Sequence, residues 1–384
     1  MLIYGSERYQ KEMKILICNK NLKKLHTGTS RNVYEQIRYF VSKGYEVNIA
    51  AETLDTDSIK SFGAIPHKTL RLPWLSGYKR RSFYSKQCDK IRRSIKPDLT
   101  IGHGDYQNPD IHCIHNNIHL AYEKIHGDDI DESDDMYRIH TPIFKNRSFK
   151  HIIANSGLAK SDLNTRFGIP KKDITVVYPA VNEKKFHRID DERIEEIRNS
   201  LNVNNNEILI GLITSGDFKK RGLDIFFKAL TEISEKDSRN IKILLIGESN
   251  IPEHYLSIIE SSNIKEKILF LPIQNNIEEY FNALDVFILP SRIEEFGRVV
   301  AEAMACGCPI ITNTDVGASE ILKNESRKYI YSNQHPEQIP EMLTELINSR
   351  VLRERLSINN LESVRGILEI NTYPEFDKVF SAFL

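Results

Sequence analysis

The sequence predicts a pair of doubly wound α/β domains, and three observations carry that prediction. At 384 residues the chain is too long for one ordinary core and suits two domains of about half that length. Short apolar runs recur along it in two series. Those runs are continuous and β-branched rather than alternating, which marks parallel strands covered on both faces.

In order, the first series is KILIC (14–18), EVNIAA (46–51), LTIG (99–102), IHCIH (111–115), HIIAN (151–155) and ITVVY (174–178). After a charged interval the second runs EILIGLI, IKILLIG, KILFL, DVFILP, CPIIT and KYIY. Helical patterns separate the runs, so each series is expected to wind into one open parallel sheet. The polar stretch PAVNEKKFHRIDDER (179–193) reads as a hinge, dividing the chain into residues 1–182 and 183–370. The last segment, 371–384, breaks at Pro374 and carries Phe376, Val379, Phe380 and Phe383 at helical spacing. It is expected to bury that face back against the first domain.

The composition, 40% hydrophobic and 28% charged, is that of a soluble globular protein. Its 53 basic and 53 acidic residues balance, which argues against a chain that wraps nucleic acid. The five cysteines, Cys18, Cys88, Cys113, Cys306 and Cys308, show neither disulfide-framework nor zinc spacing. No secretory h-region or membrane-length apolar run is present, so the expected location is a reducing cytoplasm. Between Lys68 and Lys96 stand ten Lys or Arg and one acid, Asp89, with Tyr84, Cys88, Ile91 and Ile95 as an apolar helix stripe. That segment is either a solvated face or, with Trp74, Tyr78 and Phe83, a contact for an anionic acceptor or the inner face of a membrane. The acidic HGDDIDESDD (126–135) reads as a mobile loop, since no periodic spacing in it fixes ligand geometry.

The chemistry concentrates in PSRIEEFGRVVAEAMACG (290–307). Ligands of open α/β sheets bind beyond the carboxyl ends of strands. This stretch supplies a strand ending at Leu289, a loop to Gly297, and a helix from about Arg298 stopped by Gly307. Glu294 falls in the loop and Glu302 in the helix, among Val299, Val300, Ala301, Ala303 and Met304. A carboxylate buried there needs hydrogen-bond donors, either a ligand's hydroxyls or a structural Arg. Free backbone N–H groups at Gly297, Arg298 and Val299 suit a phosphate. A nucleotide sugar, with phosphate in the middle and hydroxyls at both ends, meets all of these features.

These residues resemble the E-x7-E motif of retaining GT-B glycosyltransferases of family 4, with its Pro-Ser lead-in and its Glu-Ala-Met-Ala-Cys-Gly close. KGYEVNIAAE, IIANSGLAKSDLNTRFGIP and YPAVNEKKF are similar to the family's second strand, pre-hinge helix and hinge, in family order. The resemblance implies two Rossmann-like domains facing across a cleft, with the donor held in the second and the acceptor in the first. It implies that Glu294 binds the sugar hydroxyls and Glu302 the ribose. Phe296, Gly297, Arg298 and Val299 would present backbone to the sugar and phosphate, with position 297 needing Gly so that a ligand can come close. Glu295 departs from the Gly common among relatives. TSGDFKKRGLDIFFKAL is similar to the basic pair of lipopolysaccharide core glucosyltransferases and places Gly216, Lys220 and Arg221 at the diphosphate.

From the first domain, Gly28 and Thr29 in HTGTSRN either approach the diphosphate, as the family's Gly-rich loop does, or simply cap the next helix. Backbone near FLPIQNN, at Ile273, is expected to read the base. CIHNN resembles the family's strand-end His, which makes His115 the group expected to touch the transferred sugar; Asp110 is a candidate on the acceptor side. His103, His112, His119 and His126 crowd the same region, but strand alternation puts His112 and His115 on opposite faces. Asp55 and Asp57 read as an N-cap and turn. No catalytic metal and no cofactor are expected. The implied function is retaining transfer of a sugar, usually a hexose, from a nucleoside-diphosphate sugar, a UDP-sugar favoured, to a hydroxyl of a cell-envelope glycan or glycolipid. The alternative is a catalytically silent nucleotide-sugar-binding scaffold of the same fold.

Overall fold

The computed structural model describes residues 13–23, 28–214, 217–248, 250–260, 262 and 264–384. The first series of runs forms a seven-stranded parallel sheet: β1 (Lys14–Asn19), β2 (Glu46–Ala51), β3 (Ile65–Lys68), β4 (Leu99–His103), β5 (Ile111–Ile114), β6 (His151–Ala154) and β7 (Ile174–Val176). Its order is β3-β2-β1-β4-β5-β6-β7, with Ile15 of β1 opposite Val47 and Leu99. The second series forms a six-stranded sheet: β8 (Ile208–Ile213), β9 (Ile241–Gly247), β10 (Ile268–Pro272), β11 (Val286–Leu289), β12 (Ile310–Asn313) and β13 (Ile330–Tyr331). Its order, β10-β9-β8-β11-β12-β13, again reverses direction beside the first strand, the switch point where such sheets bind ligands.

Continuous apolar runs make buried strands because both sheet faces are covered. On one face of β1, Ile15 and Ile17 pack with Val33, Ile37 and Phe40 of the helix Gly28–Ser42. On the other, Leu16 and Cys18 meet Tyr84 and Cys88 of the helix Gly77–Ile95, with Ile91 and Ile95 alongside. All five cysteines are buried free thiols. Asp55 caps a short helix, accepting from the Ser58 N–H, and within the acidic loop Asp134 caps the helix Asp135–Lys145.

Two elements differ from the sequence reading. Strand β3 carries Pro66 and His67 and lacks an apolar run; it lies at the sheet edge, where a missing N–H is tolerated. The final helix, Glu369–Phe380, runs through Pro374 instead of breaking there. Proline costs a helix interior about 3 kcal/mol. Burial of Phe376, Val379 and Phe380 in the first domain's core, beside Tyr39 and Phe40, offsets it, and the Tyr39 hydroxyl donates to Asp377 at 2.7 Å.

The chain therefore crosses between domains twice, and the two crossings are bonded together. Val181 N–H donates to Ile367 O at 2.9 Å and Glu369 N–H to Val181 O at 2.9 Å. Val177 belongs to the first core and Val181 and Phe186 to the second.

Candidate active site in the interdomain cleft

Strand β11 delivers its chain to Pro290, and the loop to Gly297 is pinned before the helix Arg298–Ala305 begins. Glu294 N–H donates to Asp315 O at 3.0 Å, while Gly317 N–H donates to Glu294 O at 2.9 Å. Gly297 has φ 87°, and a Cβ there would lie 3.0 Å from Val316 Cγ1. The glycine is thus required by the turn's own backbone, a reason independent of any ligand. The Glu294 carboxylate is buried and contacts the Arg221 guanidinium.

Arg221 and Lys220 sit on a turn after β8, where Asp217 Oδ1 accepts from the Lys219 and Lys220 N–H groups at 2.9 and 3.2 Å. Arg292 N–H donates to Lys220 O at 2.8 Å, locking this turn to the acidic loop. Lys220 Nζ lies 3.1 Å from Glu295, so with Arg221 against Glu294 each member of the basic pair meets one acid of the loop. Burial lowers the pKa of Arg221, opposed by Glu295 and Asp217.

The first domain closes the cleft with the helix Gly28–Ser42. Arg31 reaches across it to Glu302 at 2.6 Å. Arg298 reaches back, donating to Ala180 O at 2.8 Å and to the side-chain oxygen of Asn32. From Asn32 a chain of bonds runs inward. The Asn32 amide donates to His115 Nδ1 (3.1 Å), His115 Nε2 to His103 Nδ1 (2.6 Å), and His103 Nε2 to Gln36 Oε1 (2.9 Å). That direction is set by the Gln36 oxygen, which can only accept, and it leaves each imidazole neutral with one proton. Burial, and next the Arg298 charge, push His115 down to about 4.

Around these groups lies a cleft of 760 Å³. Its wall includes Gly28, Thr29, His115, Lys220, Arg221 and Ile273, together with Glu294, Phe296, Gly297, Arg298, Val299 and Glu302. Gly216 lies outside the described residues. A Cβ at Gly28 would come no nearer than 4.0 Å to Arg298, so the fold itself does not demand glycine there. The structure brings His115 to the wall with both ring nitrogens already hydrogen-bonded, Nδ1 to Asn32 and Nε2 to His103.

Asp110 is a correction. It precedes β5 and so lies at the amino end of the sheet, the edge opposite the cleft. There it accepts from Thr100 N–H at 2.9 Å and pairs with Arg92 and Lys150, both at 3.0 Å. Its bonds tie strand starts together, away from the cleft wall. Among the described residues no group of three or more His, Cys, Asp or Glu stands where it could hold a metal ion.

Sequence reasoning missed the cross-domain partners. Besides Arg31, Asn32 and Glu35 on the first helix, Glu320 of the second domain accepts from the Gly157 and Leu158 N–H groups at 2.7 Å each, at the start of a first-domain helix. Lys124 pairs with Asp315 at 3.0 Å. Arg31, two residues after Thr29 in HTGTSRN, carried no periodic mark that would single it out.

Two family models match the chain in tandem: Glycosyltransferase Family 4 over residues 26–185 and Glycosyl transferases group 1 over residues 193–362. Among curated relatives, the capsular polysaccharide biosynthesis glycosyltransferase CapM of Staphylococcus aureus is 28% identical over 245 residues, 62% of this chain and 60% of that protein. The N-acetyl-alpha-D-glucosaminyl L-malate synthase of Bacillus anthracis is 27% identical over 200 residues, 51% of this chain and 50% of that protein. The chain thus spans about half to three-fifths of the length of the first curated relatives it matches. Of solved structures, WaaG, a glycosyltransferase involved in lipopolysaccharide biosynthesis, superposes with TM-score 0.76 at 16% identity, covering 95% of this chain and 99% of that one. HepE from Anabaena, in complex with UDP and glucose, gives TM-score 0.75 at 15% identity, covering 97% and 100%. With the two domain models in order along one chain of this fold, the chain belongs to the GT-B glycosyltransferases of group 1, family 4.

Proposed function

We propose that this glycosyltransferase retains anomeric configuration, uses no metal, and moves a sugar from a nucleoside-diphosphate sugar, a UDP-sugar favoured, to a hydroxyl of a cell-envelope glycan or glycolipid. The observation that carries this reading is the convergence in one cleft of Glu294, Glu302, the Lys220–Arg221 turn and the start of the helix Arg298–Ala305. The diphosphate would lie between that helix start and the two cations, which stabilise the charge that develops as the glycosidic bond breaks. Glu302 would exchange Arg31 for the ribose hydroxyls, and Glu294 would hold the sugar. The acceptor oxygen bonds to the anomeric carbon on the face from which the phosphate departs, and its proton passes to a phosphate oxygen. The solved neighbour that holds UDP and glucose supports the donor class.

A thermal-shift series with UDP, GDP and ADP tests the donor. The preferred nucleotide at a hundred times its Kd should stabilise the protein by about 2.7 kcal/mol. Nucleotide release from its hexose ester, lost in Glu294→Gln, separates an enzyme from a silent scaffold. A protein that no nucleotide stabilises refutes the donor assignment.

The segment 68–96 supports peripheral contact with an anionic membrane face. Leu70 and Trp74 are 68% and 75% exposed, with Lys68, Arg71 and Lys79 exposed around them. Among the described residues no helix is long and apolar enough to cross a membrane. Cosedimentation with phosphatidylglycerol vesicles should exceed that with phosphatidylcholine and fall several-fold in Trp74→Ser. Equal binding to both vesicle types removes the contact.

A further inference from the structure

Charge in the donor cleft is matched one to one. Five cations line it among the described residues, and each has a carboxylate of its own. Lys220 faces Glu295 and Arg221 faces Glu294. Arg298 lies 3.4 Å from Glu35, and Lys185 lies 3.3 Å from Glu278. The fifth, Arg31, meets Glu302 at 2.6 Å. A diphosphate entering this cleft brings more than one negative charge and meets only cations that are already paired, so at least one pair has to open.

A neutral ligand group that takes over the carboxylate opens a pair. A buried carboxylate deprived of donors is costly, so its cation leaves only where hydroxyls replace it. The donor reading brings hydroxyls to two of the five acids. At Glu294 the sugar releases Arg221, one of the two cations already placed at the diphosphate. At Glu302 the ribose releases Arg31, which that reading leaves without a further task. Side-chain exposures of 5% for Glu302 and 32% for Arg31 mean that the acid is fixed and the base is the partner that can move.

The position of Arg31 favours that move. It stands in the first turn of the helix Gly28–Ser42, which holds no acid there. A cation at the positive end of a helix is set against the dipole, and an anion brought to it relieves both charges. Glu302 is four residues after Arg298, about 6 Å along the helix at 1.5 Å per residue, which puts Arg31 within a side-chain swing of the helix start where the phosphates are placed.

We propose that Arg31 is a third diphosphate-binding cation, supplied by the first domain, which the ribose hydroxyls release from Glu302 as they take its place. The two halves of the donor are thereby coupled: the nucleoside opens the pair, and the phosphates capture the guanidinium it frees. This rests on the donor reading above and adds to it a residue from the opposite wall of the cleft.

The test is calorimetric titration of the full chain with UDP and uridine, with GDP and guanosine, and with ADP and adenosine, carried on with the pair whose nucleotide binds best. In Arg31→Gln the amide still gives Glu302 a donor, so the variant is expected to fold. Its preference for diphosphate over nucleoside should fall about tenfold, the share of one charge-assisted bond, while the nucleoside binds as well as before or better. Arg31→Lys keeps the charge and should recover most of that preference. A preference unchanged in Arg31→Gln or not recovered in Arg31→Lys overturns the proposal, and so does an equal loss for both ligands, the mark of a merely structural pair. An unmodified chain that binds the diphosphate no better than the nucleoside refutes this proposal and leaves the nucleoside seat standing. One that binds none of the three nucleotides refutes the donor reading, and this proposal falls with it.

Discussion

Glu294→Gln is expected to lower sugar transfer by roughly two to three orders of magnitude, the range for removing one preorganised electrostatic contact to a transition state. The carboxylate is buried, its loop is tied to Asp315 and Gly317, and it is held against Arg221, so it neither moves away nor is replaced by water. Glutamine keeps its shape and can still accept from Arg221, whereas alanine would leave a buried guanidinium short of its partner, at a cost of about 3–5 kcal/mol. The conservative variant therefore isolates the chemistry. UDP lacks the sugar, so its thermal shift should change little in Glu294→Gln. A variant that loses UDP affinity and turnover by the same factor would show that Glu294 acts on the phosphate through Arg221 instead of on the sugar.

Acidification from pH 7.5 to 5 should destabilise the protein by about 4 kcal/mol, through His112 and His115. Burial pushes these imidazoles down to about 3 and about 4, against 6.5 for a free histidine. Below pH 6.5 the unfolded chain takes up protons that the folded one refuses, so stability falls with pH until the folded rings protonate near 4. Each contributes about 2 kcal/mol at pH 5. His103, lowered by burial and by His115, and His119, pushed down to about 4 by burial, add in the same direction. Glu35, raised by burial, opposes them, and Asp105, lowered by its cations, loses its contribution only below this window. Urea midpoints at the two pH values measure the effect, and His112→Gln should remove the share of that residue, about 2 kcal/mol. A midpoint that does not move would mean that the rings protonate in place.

The sequence showed its strands because a sheet covered on both faces needs uninterrupted apolar runs, and Ile15, Leu16 and Ile17 are all fully buried. It marked the candidate second-domain site because Glu294 and Glu302, which both line the cleft, stand near each other in the chain on either side of a helix start. It hid Arg31, which meets Glu302 from 271 positions away, since side-chain pairing across a cleft leaves no local pattern. Asp110 was misplaced for a related reason: adjacency to a strand says nothing about which end of the sheet a residue occupies. The turn at Gly297 was found, but its cause lay in φ and the Val316 contact, neither of which composition reveals.

The last helix bears on how the polypeptide is made. Phe380 leaves the ribosome 340 residues after Phe40, the ring it packs against, an interval of roughly 20 to 70 s at ordinary elongation rates. Throughout that time the nascent amino-terminal half presents an unfinished aromatic surface. Exposed apolar surface of this kind is what chaperones cover during synthesis.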